Sequence, residues 1–160
     1  MRRFIVESTE SFKWRTGFTC LYKIIILDEQ HLNNDEIILS FFKKDNYLII
    51  DDSALGRPFN LSSIFISDFQ KKSSKALKDF FSDFSNPAGW SNASEIKEEI
   101  NYLKKHVFLN NEVTEYYLIN IDQLDKKNEK ITIEGAAYLY YILILWVKGN
   151  QLNVCQMCLD

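Results

Sequence analysis

Little in this sequence can loosen a fold. Five glycines and two prolines in 160 residues argue against long flexible linkers, and no low-complexity segment or internal repeat occurs. Only two histidines are present, which restricts acid–base chemistry of that type. The sequence contains no Gly-rich phosphate loop, no G-x-S-x-G, no H-E-x-x-H and no Walker pattern. No block of like charge stands out, and the formal net charge is −3, which argues against nucleic acid as the partner. The longest apolar run, Ala136 to Val147, would span only about 18 Å as a helix. A bilayer core needs roughly 30 Å, so no membrane span is expected. Residues 1–12 carry two arginines without the apolar stretch of a secretion signal. A cytoplasmic location follows as the expectation, where the three cysteines would stay reduced.

What is present suits a compact chain. Apolar residues make up 46% and charged residues 26%, the ordinary balance of a globular protein, and the length fits one domain over residues 1–160. Aromatic residues reach 14%, with twelve Phe and eight Tyr, and either the core or an interface must absorb them.

The first half reads as strands. Arg3–Glu7 is a short candidate, and Gly17–Leu27 is a stronger one, apolar on nearly both faces and suited to the middle of a sheet. Glu36–Phe42 and Tyr47–Asp51 flank the polar Lys43-Lys44-Asp45-Asn46, which predicts an antiparallel hairpin. Helical spacing then begins at Ile66, Phe69, Leu77, Phe80 and Phe84, capped by Ser62 or Ser63 and open to division at Ser73-Ser74. Asn92 and Glu95 form a capping box ahead of the stripe Ile96, Ile100, Leu103 and Val107. Tyr116–Ile121 reads as strand. Gly135–Val147 reads as a buried helix stopped by Gly149, with strand as its alternative. The predicted fold is therefore α+β, a mainly antiparallel sheet of about five strands with roughly three or four helices packed on one face.

Candidate chemistry is sparse. Cys155 and Cys158 have C-x-x-C spacing, but only two residues follow, so no helix can begin there to activate a thiol. A zinc site needs further ligands that the chain does not supply at metal spacing, and a strand through this tail would point the two sulfurs apart. His106 fits a cation at a helix C-terminus as well as it fits a catalytic base. Lys71, Lys72, Lys75 and Lys78 would form a solvated helix face, their field weakened by nearby Asp68, Asp79 and Asp83. Asp51 and Asp52 end a predicted strand, where carboxylates hold divalent ions in hydrolases and nucleases.

The reading these features favour is a non-enzymatic, protein-binding chain without a cofactor. In character it is similar to bacterial immunity proteins of contact-dependent inhibition systems, which protect a cell by blocking a cognate toxin domain. A basic toxin domain would be met by acidic loop and element-end groups: Asp28, Glu29, Asp35, Glu36, Asp51, Asp52, Glu112, Glu115, Asp122 and Asp125. Tyr116 and Tyr117 would serve as anchors. The alternatives are a metal-dependent hydrolase or nuclease built on Asp51 and Asp52, and a subunit of a larger assembly completed by Gly135–Val147.

Overall fold

The computed structural model describes residues 4–14, 17–27, 33–44, 47–48, 59–60, 66–84, 98, 101–103, 105, 107, 113–120 and 140–159. Its strands are β1 (Phe4–Trp14), β2 (Gly17–Ile26), β3 (Tyr47–Leu48), β4 (Phe59–Asn60), β5 (Gln70–Lys72), β6 (Tyr116–Asn120), β7 (Tyr140–Lys148) and β8 (Gln151–Leu159). Helices α1 (Asn34–Lys44) and α2 (Ser74–Phe84) join them, with a 3₁₀ turn at Ile66–Asp68. Residues 98, 101–103 and 105 are also helical. Six strands form one antiparallel sheet in the order β1-β2-β8-β7-β6-β5, and β3 pairs with β4 separately. The α+β class and the antiparallel sheet agree with the sequence.

The middle of the sheet is made by the most apolar stretches. Ile142, Leu143, Ile144 and Leu145 are consecutive and all fully buried. Neighbouring strand residues point to opposite faces, so β7 is covered on both sides. The helix expected over Gly135–Val147 is thus replaced, in its described part, by strand. Its Ile-Leu-Ile-Leu run is satisfied by β6 on one side and β8 on the other. Gly149 does not stop a helix. It opens the two-residue turn Gly149-Asn150 between paired Lys148 and Gln151, and its φ of 60° matches hairpin turns of the primed kind. The Asn150 carbonyl accepts from the Ile26 amide at 2.8 Å, tying β2 to that turn.

Two apolar clusters lie on the two faces of this sheet, which overturns the expectation of helices on one face only. The first face carries Tyr22, Ile24, Tyr117, Leu143, Leu145 and Val154, and α1 covers it with Ile37, Ile38 and Phe41. The second carries Tyr116, Leu118, Ile142, Ile144, Cys155 and Met157. Leu77 and Phe80 of α2 cover that face together with Leu103 and Val107. Strands β6, β7 and β8 are apolar at both parities, so each face needs a lid. Each fully buried Leu or Ile contributes about 1.5–3 kcal/mol relative to exposure.

The hairpin expected from Glu36–Phe42 is α1 instead, and Tyr47–Leu48 pairs with Phe59–Asn60. The reason is local. Asn33 Oδ1 accepts from the Glu36 amide at 2.9 Å, and Asn33 Nδ2 donates to Glu36 Oε1 at 3.1 Å. This reciprocal cap starts a helix whose apolar face is Ile37, Ile38 and Phe41. Helix α2 starts later than the apolar spacing suggested, because Ser73 is its cap: Ser73 Oγ accepts from the Ala76 amide at 3.1 Å. The residues before it, Gln70–Lys72, are strand β5. The four lysines expected along one helix face are therefore divided, Lys71 and Lys72 on β5 and Lys75 and Lys78 on α2.

The cysteine spacing also resolves. Positions 155 and 158 pair with Ile144 and Tyr141 within the regular strand β8. Three residues apart on a strand, they lie on opposite faces of the sheet. Cys155 is fully buried among the second-face residues, outside any disulfide.

Candidate functional site

Three described polar side chains, Asp35, Lys71 and Tyr117, converge at the edge of the sheet where β5 and β6 meet the start of α1. Pairing of β5 with β6 sets Lys71 directly beside Tyr117. Asp35 lies in the first turn of α1, where a carboxylate is favoured by the exposed amides of the helix start. Packing of α1 on the first face brings that carboxylate to the sheet. The Tyr117 hydroxyl donates to Asp35 Oδ1 at 2.5 Å, and Lys71 Nζ stands 3.0 Å from Asp35. The same ammonium sits 5.6 Å from the centre of the Tyr117 ring, and Phe69 packs on that ring with centroids 6.3 Å apart.

The electrostatics of this group follow from its contacts. Hydrogen bonds from Tyr117 and then Lys71 hold the Asp35 carboxyl below the usual carboxylate range. The bond to Asp35 raises the Lys71 ammonium above its ordinary value. Burial, with Asp35 and Glu115 beside it, pushes the Tyr117 phenol far up. A general acid or base works best when its pKa lies near the operating pH. Here the carboxylate becomes a poorer base, the ammonium a poorer acid, and the phenol stays neutral. The arrangement is a clamp that joins α1 to the sheet and fixes a carboxylate at half-exposed positions. Nothing in it activates a nucleophile.

Several residues expected to bind a partner meet at this clamp. Asp35 and Tyr117 are its members, Glu115 lies within their electrostatic reach, and exposed Glu36 is held by Asn33 in the first turn of α1. Tyr116 and Tyr117 are 0% and 1% exposed, so neither ring stands at the surface as an anchor. They are consecutive on β6 and serve opposite cores. The Tyr116 hydroxyl donates to the Val107 carbonyl at 3.1 Å, and its ring packs on Trp146 at 5.6 Å. Asp28, Glu29, Asp51, Asp52, Glu112, Asp122 and Asp125 lie outside the described residues, as do His31 and His106. The carboxylate pair expected at Asp51 and Asp52 is among these. Among the described residues, no three His, Cys, Asp or Glu side chains are grouped to hold a metal ion. No helix among them is long and apolar enough to cross a membrane.

Two features have no local signal in the sequence. The spacing of the lysines suggests a solvated helix face for Lys71, and only the pairing of β5 with β6 reveals its role. Gln156 lies on β8 between Cys20 and Leu143 with 0% exposure, and among the described residues neither atom of its carboxamide has a hydrogen-bond partner. Leaving such a group unsatisfied costs about 1–3 kcal/mol.

No protein-family model, curated protein or solved structure matches this chain.

Proposed function

We propose that the chain is a non-enzymatic protein-binding module, most concretely an immunity protein of the contact-dependent inhibition type that occludes a cognate basic toxin domain. The supporting observation is the clamp at the start of α1. Its contacts move all three ionisable groups away from catalytic range while holding Asp35 ionised beside Glu36 and Glu115. Fixed carboxylates of this kind lower the ordering cost of association and steer a basic partner to one register. The acidic groups outside the described residues, from Asp28 to Asp125, remain part of the proposed contact set. Inhibition would come from covering the toxin's cleft, with no bond made or broken.

The test is to look for a toxin-like reading frame beside its gene and to co-express the two. The expected result is rescue of growth and a complex that survives size-exclusion chromatography. Glu36→Lys and Glu115→Lys should each weaken that complex, most strongly at low salt. Growth arrest that persists, with no complex formed, would count decisively against the proposal.

A further inference from the structure

We draw no further inference here: the strongest candidate, the exposed apolar surface patch of Ile5, Val6 and Leu27 at the β1 edge of the sheet, carries nothing because nothing in the structure shows what covers it.

Discussion

The two edges of the sheet are finished differently. At one, β5 has three residues, two of them lysines, and Lys71 is drawn over Tyr117 by Asp35 of α1. At the other, β1 runs for 11 residues and exposes Ile5 and Val6 on opposite faces. Short strands, edge lysines and covering elements are the usual ways to prevent unwanted pairing. The β5 edge uses all three, whereas β1 has only its bulge and exposed glutamates beyond Val6. The contrast separates them: the β5 edge anchors a helix, and the outer side of β1 is unpaired among the described residues.

That division can be tested by ranking substitutions by their effect on stability. Leu145→Ala, in the shared middle of the sheet at 0% exposure, should cost about 2–5 kcal/mol in urea unfolding, whatever happens at either edge. Gln156→Met, also central, should act in the opposite direction. It removes an unpartnered carboxamide at nearly constant volume and should raise stability by about 1–3 kcal/mol. A fall in its melting temperature would show that the amide is satisfied in solution. Tyr117→Phe takes the hydroxyl from Asp35 at the β5 edge and should cost about 1 kcal/mol. Val6→Lys, at the exposed start of β1, should leave stability within about 0.5 kcal/mol of the parent. If Val6→Lys costs as much as Tyr117→Phe, the two edges do not differ in this way.

Acid sharpens the same comparison. The Asp35 carboxyl is held below its usual value, 3.8, chiefly by the Tyr117 hydroxyl and then by Lys71. A group depressed in the folded state contributes stability above its unfolded pKa and loses it as pH falls through the folded one. Unfolding measured from pH 5 downward should therefore show a loss near and below the ordinary carboxyl range. Tyr117→Phe should blunt that loss, and Val6→Lys should leave it intact.

Much of the fold could be read from local pattern. Gly17–Leu27 and Tyr116–Ile121 announce themselves as strands because their β-branched and aromatic residues have no helical spacing. Of the expected stripe, Leu103 is helical, Val107 lies in the turn after it, and both are buried, while Ile96 and Ile100 lie outside the described residues. Gly135–Val147 misled because a segment apolar on every side has no period to betray it. Glu36–Phe42 misled for another reason. The signal was there, an Asn three residues ahead of a Glu, the same box recognised at Asn92 and Glu95. The sequence marks Asp35 and Tyr117 separately, as an acidic element end and an aromatic, but their partnership spans 82 residues and includes Lys71. No local pattern carries such a link. Only the register of β5 on β6 supplies it.

The placement of β8 bears on how the chain acquires its shape. Strand β2 pairs with β8, so the hairpin made first is inserted beside the strand made after all the others described. Until β8 emerges from the ribosome, β2 and β7 each present an unsatisfied ladder, and neither apolar cluster can close. Pairings of such large sequence separation form slowly and leave nascent chains prone to sticking. Synthesis of this protein would then depend on whatever shields those two strands while the final hairpin is still being made.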